Sequence, residues 1–157
     1  SLKNQVIFES QNLGLAANVT SLLNSQAAKD RNVQLFSSLR TAIYDDINIS
    51  RKHLGNIKFT YLYDNFPRET NERQKFKDKF LKKYGDYPSK ESYRAYDVTM
   101  DVILRLAYQN KIHSDKIEET KYIENVFKYL PDEGGGFSNF GFYILQNKDY
   151  YIIEIKK

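Results

Sequence analysis

The sequence predicts two amphipathic helices with a short break between them in residues 76–106, FKDKFLKKYGDYPSKESYRAYDVTMDVILRL. In the first helix aromatic residues recur at every fourth position, at Phe76, Phe80 and Tyr84. This spacing places them on one side of a helix, with lysines on the opposite side. Gly85 is suited to end the first helix, and the Pro-Ser pair that follows is suited to begin the second. The chain is therefore expected to contain a helical pair that buries an aromatic stripe.

The second of these helices carries a carboxylate on its apolar side. At 100° per residue, Asp97 lies about 40° from Tyr93, on the face that also holds Met100. A carboxylate in such a place costs free energy unless it finds a hydrogen-bond partner. We therefore expect Asp97 to be largely buried and hydrogen-bonded. It is either a structural acid that caps a nearby segment or part of a binding site.

The rest of the chain predicts a mixed α/β fold with a parallel sheet. Strand-like runs at 5–9 and 33–36 flank a helical pattern capped by Asn12, which is the arrangement of a parallel β-α-β unit. The pattern further predicts a short helix at 43–54, a strand at 57–63, helices at 70–84, 90–110 and 115–130, and a β-hairpin formed by 140–145 and 150–155.

Composition limits the chemistry that the chain can perform. Its 157 residues suffice for one domain with a real core, and they include no cysteine, which excludes disulfides, thiolate metal sites and thiol nucleophiles. The net charge of +4 is modest, and the basic residues at 68–83 are interspersed with the acids Glu69, Glu72, Asp78 and Asp86. Because the sequence begins Ser-Leu-Lys without Met, we expect a fragment or a processed product.

No catalytic or metal-binding motif is recognisable in the sequence. His53 and His113 have no ligating neighbour at a suitable spacing, so no metal is expected. The adjacent Asp45 and Asp46 could share a magnesium ion but are more typical of acids that cap a helix start. The three glycines at 134–136 lead into a strand rather than a helix, so they predict a tight turn and not a phosphate loop. We expect no enzyme activity and no cofactor.

An ordered set of segments resembles the C-terminal part of type I periplasmic binding proteins. The pattern F-x3-F-x3-Y-G-x2-P-S-x6-Y-D-V over 76–98 resembles that family's helix ending in YG..P followed by its YD helix. A strand–helix–strand of the family's second lobe resembles the segment that contains VIFES and VQLFSS. The strand that crosses back to the first lobe resembles IKFTYLYDNF. The closing strands resemble GGGFSNFGFYILQNKDYYIIEI. The resemblance implies a three-layer α/β fold with a parallel sheet and a C-terminal β-hairpin. It assigns residues 1–56 to the second lobe, 65–130 to the first lobe and 137–157 to the closing strands.

A binding site is predicted from topology. Ligands of open parallel sheets bind beyond the carboxyl ends of the strands, and short polar segments follow the first two strands here. These segments are either ordinary capping loops or part of a cleft wall, as the corresponding loops are in the family that the chain resembles. The candidate ligand-binding residues are Glu9, Ser10, Gln11, Ser37, Ser38 and Asp97.

The resemblance implies a non-catalytic module of an exported bacterial protein that closes its lobes by hinge bending on a small polar ligand, such as an amino acid. It implies a periplasmic or envelope location, with a transporter or a cell-wall partner of the full-length parent, and the composition resembles lipoproteins and LysM-linked envelope proteins of Bacteroidetes. A half-complete fold exposes strand edges, so the fragment is expected to form a homo-oligomer. Two alternatives stay open: a basic nucleic-acid-binding or structural domain, and an enzyme with a carboxylate site around Glu9 and Asp97.

Overall fold

The computed structural model describes residues 4–29, 31–109 and 119–156. Within them the chain alternates between short strands and helices before it ends in strands. The elements are β1 (Asn4–Ile7), α1 (Leu13–Ala27), β2 (Val33–Ser37), a 3₁₀ helix (Ala42–Asp45), α2 (Arg51–Asn56), β3 (Thr60–Tyr63), α3 (Asn71–Tyr84), α4 (Lys90–Gln109), β4 (Thr120–Lys121), β5 (Val126–Phe127), β6 (Tyr129–Pro131), β7 (Phe137–Asn139), β8 (Tyr143–Lys148) and β9 (Tyr151–Ile155).

The chain divides into two compact units. The first unit contains Ser1–Tyr63 and Tyr143–Lys157, and the second contains Asp64–Phe142. A five-stranded sheet in the order β1-β2-β3-β8-β9 forms the first unit. Its first three strands are parallel, and β8 and β9 continue the sheet in antiparallel orientation. The predicted mixed α/β class, with a parallel β-α-β unit and a C-terminal hairpin, is confirmed.

Helices pack against this sheet. α1 contacts β2, α2 and the 3₁₀ helix, and α2 contacts β8. Asn12 begins α1 as predicted, because its Oδ1 accepts a hydrogen bond from the backbone N–H of Leu15 at 2.9 Å. Alternate residues of β2 and β8 are buried, among them Leu35 and Leu145, as expected for strands with one face on the core.

Aromatic rings fill the centre of the first unit. The Phe59 ring lies 4.4 Å from that of Tyr44 and 5.2 Å from that of Tyr61, measured between centroids, and all three side chains are almost fully buried. Such pairs add stability beyond the apolar area that they bury, by about 0.5–1.5 kcal/mol each. The strand predicted for 57–63 begins only at Thr60, because Lys58 adopts a left-handed conformation with φ 48° that interrupts the extended backbone.

A close contact between α2 and the β8–β9 turn requires a glycine. A Cβ atom on Gly55 would lie 2.3 Å from the carbonyl oxygen of Asp149, far inside van der Waals contact. Asp149 itself has φ 53° in the turn of the hairpin. The helix predicted for 43–54 is instead a 3₁₀ turn and the short α2, so Gly55 lies within a helix and does not end one.

The second unit contains the helical pair predicted from the sequence. Thr70 caps α3 by accepting a hydrogen bond from the backbone N–H of Arg73 at 3.1 Å, and Gly85 ends α3 in the left-handed conformation with φ 76°. The Phe76 ring lies 5.8 Å from that of Phe80 on the same helix and 5.1 Å from that of Tyr93 on α4. The aromatic stripe therefore joins the two helices.

The helix predicted for 115–130 is wrong over the part that the structure describes. Residues 119–130 form β4, β5 and the start of β6, while 115–118 and His113 lie outside the described residues. The physical reason is a tertiary contact, because Asp97 accepts hydrogen bonds from the backbone N–H groups of Ile123, Glu124 and Asn125. These amides are thereby withdrawn from the bonds that a helix would need.

A second hairpin, formed by β6 and β7, was not predicted from the sequence. The glycines at 134–136 form its turn, and Gly135 and Gly136 have φ 83° and 95°, so the predicted tight turn is confirmed.

The described helices include none that is both long and apolar enough to cross a membrane. Self-association stays a prediction. The strand edges that it would use are those of β1 and β9, which lie at the two edges of the five-stranded sheet.

We predict that Gly55→Ala destabilises the protein, because the added methyl group would collide with the backbone of Asp149. The expected loss is roughly 1–3 kcal/mol of unfolding free energy in a urea titration. Gly14→Ala is the matched control, because a methyl group added at Gly14 would have Asn12 Oδ1 as its nearest neighbour, at an ordinary contact distance of 3.5 Å. This variant should be neutral or up to about 1 kcal/mol more stable. Equal stability of the two variants would contradict the close packing of α2 on the hairpin.

Candidate functional site

The carboxyl ends of the parallel strands bring two polar loops together. Ile7 pairs with Phe36, and the backbone N–H of Phe8 donates to the Phe36 carbonyl at 2.9 Å, so the pairing of β1 with β2 extends to the start of the loop. The residues that follow the two strands must therefore be neighbours. Glu9 lies directly beside the segment Ser37-Ser38.

Glu9 bridges the two loops with its carboxylate. Its Oε2 accepts a hydrogen bond from Ser37 Oγ at 3.0 Å, and its Oε1 accepts another from the backbone N–H of Ser38. The bond from Ser38 is the largest of the causes that hold the pKa of Glu9 below its usual range. Glu9 is solvent-exposed, and a carboxylate has about four acceptor positions. An ionised group with spare acceptor capacity thus lies at the carboxyl ends of the strands.

The other predicted residues of these loops are placed differently. Ser10 Oγ accepts a hydrogen bond from the backbone N–H of Asn12 at 3.1 Å, so this side chain belongs to the start of α1. Gln11 is exposed in the same loop. The structure therefore joins Glu9, Ser37 and Ser38 and turns Ser10 towards the helix.

Sequence reasoning missed Arg40, which lies just beyond Ser38. Its guanidinium contacts both carboxylate oxygens of Asp45, with Nη1 2.8 Å from Oδ2, and lies 5.4 Å from the centre of the Tyr61 ring. The hydrogen bond from Arg40 is the main cause that lowers the pKa of Asp45. The signal that could have found this pair was the charge pairing of an arginine with an acid five residues later.

The interpretation of Asp45 and Asp46 as acids that cap a helix start is therefore corrected. Asp45 ends the 3₁₀ helix and binds Arg40, whereas Asp46 Oδ1 accepts hydrogen bonds from the backbone N–H and the Nδ2 of Asn48 at 2.9 and 2.8 Å. The next helix, α2, starts only after Ser50. Arg40 binds Asp45, and the local turn at Asn48 binds Asp46. Neither carboxylate therefore caps a helix terminus.

Among the described residues, three polar atoms at and next to Arg40 in the chain are buried and make no hydrogen bond. They are the Nε of Arg40 and the hydroxyl oxygens of Thr41 and Tyr44. Burial is the main cause that raises the pKa of Tyr44, and the negative charge of Glu9 adds to it. Buried polar groups in proteins are almost always hydrogen-bonded to protein, water or a ligand.

We call the six residues Glu9, Ser37, Ser38, Arg40, Thr41 and Tyr44 the strand-end site.

Asp97 lies in the second unit and has no exposed surface. Its Oδ1 accepts from the N–H of Ile123 at 3.1 Å, and its Oδ2 accepts from the backbone N–H and the Nδ2 of Asn125 and from the N–H of Glu124, all at 2.9 Å. The prediction that Asp97 is buried and hydrogen-bonded is confirmed. Four donors occupy the acceptor positions of this carboxylate, which is the arrangement of a structural acid.

Further buried charges extend from Asp97 along α4. Asp101 accepts hydrogen bonds from Arg105 Nε and from Thr120 Oγ1, each at 2.8 Å, and Arg73 Nε donates to Glu124 at 3.0 Å. Every one of these contacts joins an acid to a donor, so the buried charges are compensated. Among the described residues, no group of three or more His, Asp or Glu side chains is arranged to hold a metal ion.

Comparison with known proteins gives one structural similarity and no family. No protein-family profile matches the chain, and no curated protein matches it significantly in sequence. A crystal structure of an ABC transporter substrate-binding protein from Desulfitobacterium hafniense in complex with Leu is similar, with a TM-score of 0.40 and 13% sequence identity. The similarity covers 98% of this chain and 60% of that one. The chain thus spans less than two thirds of that protein.

We predict that Asp97→Ala lowers the unfolding free energy by about 1–3 kcal/mol, because it leaves buried N–H groups without an acceptor. Thermal unfolding followed by circular dichroism measures this loss. Asp78→Ala is the control, since Asp78 is an exposed helical acid whose hydrogen bond comes from the exposed Gln74. That change should stay within about 0.5 kcal/mol. An unfolding midpoint unaltered by Asp97→Ala would show that the carboxylate does not hold the segment at 123–125.

Proposed function

We propose that the first unit binds a small polar solute with a positively charged group at the strand-end site. The observation that carries this proposal is the Glu9 carboxylate, which is exposed, ionised and held in place by Ser37 and Ser38 where two parallel strands end. Fixed acceptors need no reorganisation when they bind a ligand, and this favours affinity. An ammonium group is the natural partner of such a carboxylate.

Hydrogen-bond donors in the following segment complement this acceptor. Arg40, Thr41 and Tyr44 each carry a buried donor atom that makes no hydrogen bond within the described part of the chain, and all three lie within five residues of one another in sequence. The charge of Arg40 is already paired with Asp45, so its Nε contributes a directional hydrogen bond rather than a free charge. A ligand with an ammonium group and a carboxylate would match both halves of the strand-end site. An amino acid is the simplest such ligand.

The resemblance to periplasmic binding proteins supplies the finer parts of the proposal. In this view the parent is an exported bacterial protein, located in the periplasm or the cell envelope, that closes on its ligand by hinge bending. A membrane transporter or a cell-wall component would be its partner. The role that the resemblance implies is binding without chemical conversion.

We predict that Glu9→Gln weakens the binding of a zwitterionic amino acid about tenfold or more. The reason is the loss of a charged hydrogen bond, which contributes roughly 1.5–3 kcal/mol. Isothermal calorimetry on the full-length protein, first with the common amino acids and then with the tightest of them, provides the measurement. Glu133→Gln is the control, because Glu133 is an exposed carboxylate in the β6–β7 turn of the second unit.

A ligand comparison sharpens the test. The carboxylic acid that differs from this amino acid only by lacking the amino group should bind the wild-type protein weakly. The Glu9→Gln change should not weaken the binding of this acid further. Unaltered amino-acid affinity in Glu9→Gln would leave Glu9 as a residue that only joins two loops.

A further inference from the structure

The second unit contains a groove that the strand-end site does not involve. It has a volume of about 630 Å³ and lies between α3, α4 and the segment that follows β4; we call it the α3–α4 groove. Sites for small molecules typically have volumes of about 300–1,000 Å³. The α3–α4 groove is therefore large enough for a small-molecule ligand.

Apolar side chains form the inner surface of this groove. Phe76 comes from α3, Tyr96 and Met100 from α4, and Ile123 from the segment after β4. The rings of Phe76 and Tyr96 lie 4.7 Å apart and fix each other, and Tyr96 keeps 38% of its surface exposed. An exposed aromatic surface inside a concave site is suited to bind a flat or chain-like apolar body.

The wall after β4 is held rigidly. The backbone N–H of Ile123 donates to the fully buried Asp97, so the chain cannot move away from α4 without losing this hydrogen bond. Tyr122 also lines the groove, and burial raises its pKa to about 12, so its hydroxyl is neutral at physiological pH. A site that is formed before the ligand arrives loses little entropy on binding.

Positive charge dominates the rim of the groove. Four lining side chains are cationic and one is anionic: Arg68, Lys75, Lys79, Lys121 and Glu72. Lys75 and Lys79 are one helical turn apart on α3 and are both solvent-exposed. Cations concentrated at the mouth of an apolar cleft attract an anionic group and fix its orientation.

We propose that the α3–α4 groove binds an anionic amphiphile, a molecule with an aromatic or acyl body and a single carboxylate or phosphate group. The body lies on Phe76, Tyr96 and Met100, and the anionic group lies at the rim between Lys75 and Lys79. Lys121 also lines the groove, but its Nζ lies 3.9 Å from the Glu119 carboxylate, with which it forms an ion pair. This site differs in its ligand from the strand-end site, which offers a carboxylate to a cation. A nucleic acid is a weaker match, because Lys82 and Lys83, the lysines farther along α3, lie outside the groove.

Three small probes separate the contributions of body and charge. The first probe, 2-naphthoate, has an aromatic body and a negative charge. The second, 2-naphthalenemethanol, has the aromatic body without the charge, and the third, acetate, has the charge without the aromatic body. In ¹H–¹⁵N NMR titrations of the full chain, 2-naphthoate should shift amide signals of the groove residues and bind with a Kd of about 1 mM or tighter. The other two probes should bind at least about tenfold more weakly. Equal binding of 2-naphthoate and 2-naphthalenemethanol, or shifts confined to other residues, overturns the proposal.

Matched double variants test the rim. Lys75→Gln/Lys79→Gln removes two charges that line the groove, and Lys82→Gln/Lys83→Gln removes two charges from exposed positions of the same helix outside it. The first should weaken 2-naphthoate binding about tenfold or more, and the second should change it less than about twofold. An equal loss in both would mean that α3 attracts anions only through its general charge, and this result would overturn the groove as a site.

Discussion

The buried carboxylate of Asp97 is the interaction on which the second unit depends. A carboxyl group without exposed surface is costly to desolvate, and here four donors from a segment 26 to 28 residues farther along the chain compensate for it. The bonds tie the loop at 123–125 to the middle of α4. This fixed loop in turn positions Ile123 in the wall of the α3–α4 groove and Glu124 beside Arg73. One carboxylate thus determines both the path of the chain and the shape of a cavity.

The first unit is organised by parallel strand pairing. Because β1, β2 and β3 run in the same direction, the polar loops that follow them lie at the same end of the sheet. Glu9 uses this proximity by accepting hydrogen bonds from both residues of the Ser37-Ser38 segment. The buried donors of Arg40, Thr41 and Tyr44 come directly after it in the chain. The acceptor and donor groups of the strand-end site are therefore supplied by the short segments that follow two neighbouring strands.

Local signals predicted much of this structure from the sequence. The four-residue spacing of Phe76, Phe80 and Tyr84, the glycine that ends α3 and the cap at Asn12 depend on neighbours within a few positions. The angle of Asp97 on its helix also sufficed to predict its burial. Likewise the alternation of strand and helix predicted that Glu9 would approach Ser37 and Ser38, since parallel pairing leaves little freedom there.

Features that depend on distant contacts were not predictable in the same way. The apolar residues between 115 and 130 have a helix-like spacing, and only the donors required by Asp97 explain the strands that form instead. The role of Gly55 follows from the approach of Asp149, almost a hundred residues away in the chain. The pairing of Arg40 with Asp45 is local, but five-residue charge spacing alone does not predict it, because it also needs the 3₁₀ turn at 42–45.

If the ionised Glu9 carboxylate receives the positive group of a ligand, the pKa of Glu9 must differ with and without ligand. This pKa is read from the ¹³C chemical shift of the side-chain carboxyl group between pH 2 and 7. A cation bound to the ionised form must lower this pKa further, because binding and proton release are reciprocally linked. We expect a clear downward shift when the tightest-binding amino acid saturates the protein. A pKa that stays the same at saturation would contradict it.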